Sequence, residues 1–157
     1  MTINNKRASI LLMCFFVIIS LTIIGAAFGI LMVNESLSFR HNLQGVQAVY
    51  LAEAGLGKAI YDLRQDYLQS ENWNDGNING ISVVPVADQF YVLYPSVSFG
   101  VGQYYTVGIM NDGSAKNKIW VKSTGTVGLA SKTIQAYITV PLGGSVLSVT
   151  GWQIVNS

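Results

Sequence analysis

Charge is scarce in this chain, at 11% of 157 residues, where an ordinary soluble domain carries about a quarter. Nine Lys and Arg stand against eight Asp and Glu, a net charge of +1. That balance supplies no basic field for a phosphate backbone, so nucleic acid is not an expected partner. Cysteine and histidine occur once each, as Cys14 and His41. One of each cannot make an intrachain disulfide, a zinc-finger ligand set or a dithiol redox pair. Proline is absent until Pro85, and no charged residue lies between Arg7 and Glu35. What the chain has in excess is apolar residues, at 50%, and glycine, at 16.

The apolar excess is concentrated at the front. Residues 10–33 read ILLMCFFVIISLTIIGAAFGILMV. As a helix this run is ~36 Å long, enough to cross a hydrocarbon core of ~30 Å. Lys6 and Arg7 precede it and Glu35 follows it, which by the positive-inside rule puts the N-terminus in the cytoplasm and the rest on the far side. A cleaved secretory signal is the competing reading, since Gly25, Ala26 and Ala27 offer small residues behind an apolar stretch. The run continues through Phe28, Ile30, Leu31, Met32 and Val33, however, and a chain cut there would expose a greasy end. A retained anchor is therefore expected, with Cys14 acting as a small hydrophobe inside it and lipidation the lesser alternative.

Residues 37–71 also lack proline and are rich in helix formers. Val49, Ala52, Leu56, Ala59 or Ile60, Leu63 and Tyr67 form one stripe at helical spacing, with Arg40, Lys58, Asp62 and Asp66 on other faces. The spacing predicts an amphipathic helix continuing the span. Gly45, Gly55 and Gly57 each cost up to about 1 kcal/mol in a helix interior, which points to a bend or to close packing against a neighbour.

Beyond residue 71 the pattern changes to alternation. A polar link at 72–80 precedes expected strands at 81–87, 89–94, 103–110, 118–123, 132–140, 146–149 and 152–155. Pro85 demotes the first of these to an edge strand or extended loop, and residues 111–114 and 125–131 read as hairpin connections. Ile134, Ala136, Ile138 and Val140 share one face, expected toward the helix. In the 118–123 strand, Ile119, Val121 and Ser123 take one face and Lys118, Trp120 and Lys122 the other, a less clean division. With no helix between strands, the expected class is α+β. A long N-terminal helix, its first half membrane-spanning, packs on a C-terminal antiparallel meander.

This build resembles that of type IV pilins and pseudopilins. Lys6-Arg7-Ala8-Ser9-Ile10-Leu11-Leu12 is similar to the leader junction of that superfamily. Ala48-Val49-Tyr50-Leu51-Ala52-Glu53-Ala54-Gly55-Leu56 resembles the A-x-x-x-A-E-A-G-L signature of PilX-type minor pilins. The K-type pseudopilins of general secretion are the nearest relatives of that pattern. The resemblance covers residues 6–63 and divides the chain into a leader (1–8), an assembly half of the helix (9–33), an amphipathic half (34–71) and a sheet domain (72–157). It implies cleavage between Ala8 and Ser9, although most relatives have glycine where Ala8 stands. The fifth mature residue is then Met13, where major pilins carry glutamate, and this favours a minor or tip-located subunit over a filament-forming one. Gly25, Ala26, Ala27 and Gly29 would let neighbouring helices approach closely.

The implied function is non-enzymatic: a minor pilin-like subunit in type IV pilus assembly, priming the filament or modifying its tip, with adhesion among the roles of such filaments. Implied partners are other pilin or pseudopilin subunits, the prepilin peptidase, the assembly ATPase and platform, and inner-membrane lipid, with no cofactor. Two alternatives stay open: a pseudopilin of a type II secretion system, and a singly anchored extracytoplasmic binding module.

Individual residues offer little chemistry. Glu53 flanks the apolar stripe and either pairs with a basic group of a neighbouring subunit or its own sheet, or sits solvated at the edge of a packed face. Asp75, Asn77 and Asn79 match the first half of a calcium loop, but the twelfth position is Val86 rather than glutamate. A plain turn is the expected use of that segment, with Asp88 the candidate missing ligand otherwise. His41 has no nucleophile to serve and is expected at a surface or interface. Phe90, Tyr91, Tyr94, Phe99, Tyr104 and Tyr105 either pack in the core or line a binding surface, and core packing is the expectation.

Overall fold

The computed structural model describes residues 5–70, 73, 77–78, 80–82, 89–111, 118–140 and 147–155. The chain falls into two compact units, Met1–His41 and Asn42–Ser157. One helix, α1 (Asn5–Ser70), contributes to both. A two-stranded ribbon, β1 (Asn77–Ile78) and β2 (Ile81–Ser82), follows it. A five-stranded antiparallel sheet comes next: β3 (Tyr91–Gly100), β4 (Gln103–Asn111), β5 (Lys118–Val127), β6 (Ala130–Thr139) and β7 (Ser148–Val155). Spatial order equals sequence order, so the sheet is the meander that the helix-free spacing of the strands predicts.

Each strand alternates because its two faces meet different surroundings. In β5, Ile119, Val121 and Ser123 are buried while Lys122 is exposed. In β6, Ile134, Ala136 and Ile138 are buried, and Val140 continues that face just past the strand. Ile119 pairs with Ile138, and Val121 with Ala136, in an unbroken register. Against this face lie Ala52, Leu56, Ala59 and Leu63 of the second half of α1. The residues expected to face the helix do so.

Three boundaries differ from the sequence reading. The 125–131 connection is mostly strand, since β5 runs to Val127 and β6 starts at Ala130 around a two-residue turn at Gly128 and Leu129. Gly125 interrupted the sequence pattern, but its work is to admit the helix backbone. A Cβ there would come within 2.5 Å of the Ala52 amide nitrogen and 2.9 Å of Leu51 Cβ, and would overlap the Ala48 carbonyl oxygen. Second, β3 begins at Tyr91 and passes through Pro95 to Gly100. Proline is tolerated because β3 is an edge strand, and a register shift between Tyr94 and Val97 brackets it. Third, the last two expected strands are one strand, β7, whose irregularity sits at Gly151 with φ +64°. The expected 81–87 strand is described only as Ile81 and Ser82, and the 112–114 turn lies outside the described residues.

Candidate functional site

The first unit carries the expected anchor. From Ile10 to Val33 the large apolar side chains are all exposed, and the helix is long and apolar enough to cross a membrane. Thr22 donates its hydroxyl to the Ile18 carbonyl at 2.7 Å, so in a membrane it would present no unpaired donor to lipid. Met13 and Cys14 are exposed along the helix. Around Gly25 and Gly29 there is open space where a Cβ would stand, so each leaves a shallow notch that a neighbouring helix could enter. His41 is exposed at the end of this unit. Ala8 and Ser9, the expected leader junction, lie within the helical segment.

In the second unit the 48–56 segment divides cleanly. Ala48, Ala52, Gly55 and Leu56 are buried, while Glu53 and Ala54 are exposed. The buried members are small because the sheet comes close. A Cβ on Gly55 would stand 2.7 Å from the Tyr105 ring and collide with Ser123 Oγ. The signature is therefore a helix-to-sheet packing seam, with its acidic residue left on the surface. Glu53 needs no counter-charge from its own sheet, which leaves the solvated reading or a partner in another subunit.

The seam also corrects the assignment of Asp62 and Asp66, which the helical wheel placed away from the packed face. Asp62 is 2% exposed and Asp66 6%. At 100° per residue, the column Ala48, Ala52, Gly55, Ala59 draws the buried arc some 40° toward Asp62 and away from Tyr67 and Ile60. Val49, Ile60 and Tyr67 are only half-buried as a result. Asp62 is accommodated by a polar node. Lys58, one turn earlier, donates from Nζ to its carboxylate at 2.8 Å, and the Tyr94 hydroxyl donates to the same oxygen from β3. Lys58 also stands 5.4 Å from the Tyr94 ring centre. Tyr105, beneath the seam, has its phenol pushed above the usual value by burial, with Lys58 opposing and the Asp62 carboxylate adding a smaller push upward. Ser123 Oγ is buried with no hydrogen-bond partner among the described residues. Sequence pattern alone missed this node because nothing in it reveals that a tyrosine 32 positions away reaches the helix.

The helix end is closed by Trp73, 1% exposed, whose indole donates to the Leu63 carbonyl at 2.9 Å and stacks edge-on against Tyr67. Asn77 Oδ1 accepts from the Gly80 amide at 2.8 Å, the side-chain-to-backbone bond of a turn. Asp75 and Asn79, the other calcium candidates, lie outside the described residues. Among the described residues no three His, Cys, Asp or Glu side chains are grouped as a metal site would require. Of the aromatics, Tyr94 and Tyr105 are core, Phe90 is half-buried beneath Lys122, and Tyr91, Phe99 and Tyr104 are exposed.

No described sequence family matches the chain, and no curated protein does. Among solved structures, the competence-associated pilin ComZ from Thermus thermophilus is similar. It is 27% identical over 62% of this chain and 21% of that chain, with a TM-score of 0.47. The match thus spans about a fifth of that protein's length.

Proposed function

We propose that the chain is a structural, non-enzymatic subunit of the minor pilin kind, acting in type IV pilus assembly as a primer or tip component after its leader is removed between Ala8 and Ser9. The observation that carries this reading is the division of labour along α1. Its second half is consumed in holding the sheet through the Ala48, Ala52, Gly55 seam, while its first half buries none of its large apolar side chains. Such a surface needs lipid before assembly and apolar helices after it. Gly25 and Gly29 supply the notches for close approach, and Met13 supplies no carboxylate to attract a neighbour's N-terminal amine. Glu53 and Ala54, which the seam leaves exposed, are the 48–56 segment's contribution to contacts between subunits. The domain lies on the far side of the inner membrane, and the prepilin peptidase, platform and other pilins are the partners.

The test is incorporation. Filaments sheared from cells producing a tagged chain should contain it at low stoichiometry, and deleting it should reduce the number of filaments. Its absence from sheared filaments, with normal piliation in the deletion strain, refutes the pilus role. Loss of protein export in that strain would instead indicate a secretion pseudopilus.

A further inference from the structure

Within the second unit, α1 buries one face in the seam and leaves another apolar face open on the opposite side. Leu43, Val46, Tyr50, Tyr61 and Leu68 are 47–66% exposed. At about 100° per residue they all point within about 40° of Tyr50, while Ala59 in the seam points the opposite way. Ala54 and Gly57, both exposed, fill the stripe between the two tyrosines, and a Cβ on Gly57 would meet nothing within 4 Å. The middle of the face is therefore a shallow saddle between two aromatic rings. Arg64 is the one charged member, and its long stem can lie along a partner with the head in water. The steps along the stripe are of three or four residues and average close to ~3.6, the period of a straight helix, over a length of ~37 Å. A helix apolar on two opposite faces needs two partners, and the sheet is only one of them.

The charges beside the stripe favour one partner over others. Glu53 borders it on one side and Lys58, five residues later, on the other, and Asn42 and Gln47 repeat that spacing with hydrogen-bonding groups. When two identical helices lie parallel and in register, a flanking residue of one meets the residue five later on the opposite flank of the other, as in parallel coiled coils. Glu53 then meets Lys58 of the second copy. In an antiparallel pair like flanks meet, and the opposite charges are separated. Lys58 is bonded to Asp62 but its side chain is 50% exposed, and an ammonium has further donors to offer. We propose that the outward face of the second half of α1 docks a second copy of this chain, the two helices parallel and in register. Ala54 and Gly57 meet their own counterparts at the closest approach, and each tyrosine packs against its equal. Apolar contact supplies the affinity and the flanking charges set the orientation. The proposal stands on the second unit alone and goes beyond the pilus reading, which it does not need.

The experiment uses the full chain in detergent at low micromolar concentration, in a Cys14→Ser background with one cysteine introduced per variant. Tyr50→Cys and Tyr61→Cys lie on the face, whereas Ser131→Cys is an exposed position at the start of β6. Under mild oxidation by copper phenanthroline, the first two should each link to an identical chain several-fold more than the third. A tagged Tyr50→Cys chain mixed with Tyr61→Cys should form mostly like-with-like disulfides. Ala54→Asp sets two carboxylates together at the closest approach, and should bring linkage at position 61 down to the level at 131 with the near-ultraviolet circular dichroism unchanged. Glu53→Lys, a surface change that faces lysine with lysine, should lower linkage at 61 at least twofold. Linkage at 50 and 61 no greater than at 131 overturns the proposal, as does linkage that both substitutions leave intact. Preferential linkage of 50 to 61 means antiparallel or staggered helices and overturns it too. No filament enters the readout, so failure of the pilus reading and failure of the dimer are seen separately.

Discussion

Substituting Gly125 by alanine tests the helix-to-sheet seam at its tightest point. On an open strand such a change stabilises, by roughly 0.5–1 kcal/mol, because glycine loses the most backbone freedom on folding. Here the added Cβ would overlap the Ala48 carbonyl oxygen and approach the Ala52 amide nitrogen to 2.5 Å. Those are backbone atoms of a helix turn and cannot rotate aside, so helix and sheet must separate. Overpacking of this kind costs about 1–3 kcal/mol and occasionally more, and with backbone on both sides the upper end applies. At roughly 4 °C per kcal/mol for a unit of this size, Tm should drop by some 10 °C or more. Gly57→Ala is the internal control, since its Cβ meets nothing within 4 Å and should stabilise by up to about 1 kcal/mol. Thermal unfolding of the detergent-solubilised full chain, followed by near-ultraviolet circular dichroism, reads both. If Gly125→Ala melts within a degree or two of the parent, the helix does not approach β5 as described and the seam is wrong.

Other outcomes follow from the same geometry. Ser123→Ala should be neutral or stabilising by up to ~1 kcal/mol, because it removes a buried hydroxyl with no partner among the described residues. A loss above that figure in a denaturant titration would reveal a bond the structure does not contain. Tyr94→Phe takes a donor from the buried Asp62 carboxylate and should cost about 1–3 kcal/mol, whereas an exposed tyrosine such as Tyr61 should tolerate phenylalanine. Tyr105 keeps its proton more tightly folded than unfolded. Its contribution is therefore complete below about pH 10, the unfolded value, and is lost as pH rises through the raised folded value. Tyr105→Phe should flatten the fall of Tm above pH 10 and remove a late step from the absorbance titration of phenolate. An unchanged profile would contradict the assignment. Leu63→Ala, at a fully buried position, should cost about 2–5 kcal/mol, measured by the same unfolding curve.

The parts of this fold that were legible in the sequence are those written in periodicity. An uncharged run of 24 residues reads as an apolar helix of spanning length, and the alternation of Ile134, Ala136 and Ile138 reads as a strand with one buried face. The parts that were not legible depend on a partner surface distant in sequence. Asp62 and Asp66 look solvent-facing on an isolated wheel. They are buried because glycine and alanine on the adjacent column let β5 in and turn the contact arc toward them. Gly125 looks like a turn residue for the same reason, since local pattern cannot separate a glycine that bends the chain from one that admits a helix. The expected strand at 89–94 stops just before Pro95, although an edge strand with a register shift accommodates that proline. As for the candidate site, the 48–56 segment was visible as a motif, but only the contacts divide it into seam and surface.

The central claim is that the apolar half of α1 is released by leader processing to pack with other subunits. Intact mass and N-terminal sequencing of the membrane-extracted chain, produced together with a prepilin peptidase, test it most directly. The account predicts a mature chain beginning at Ser9. A chain that keeps Met1, or one that begins at Phe28 after signal-peptide cleavage, contradicts it.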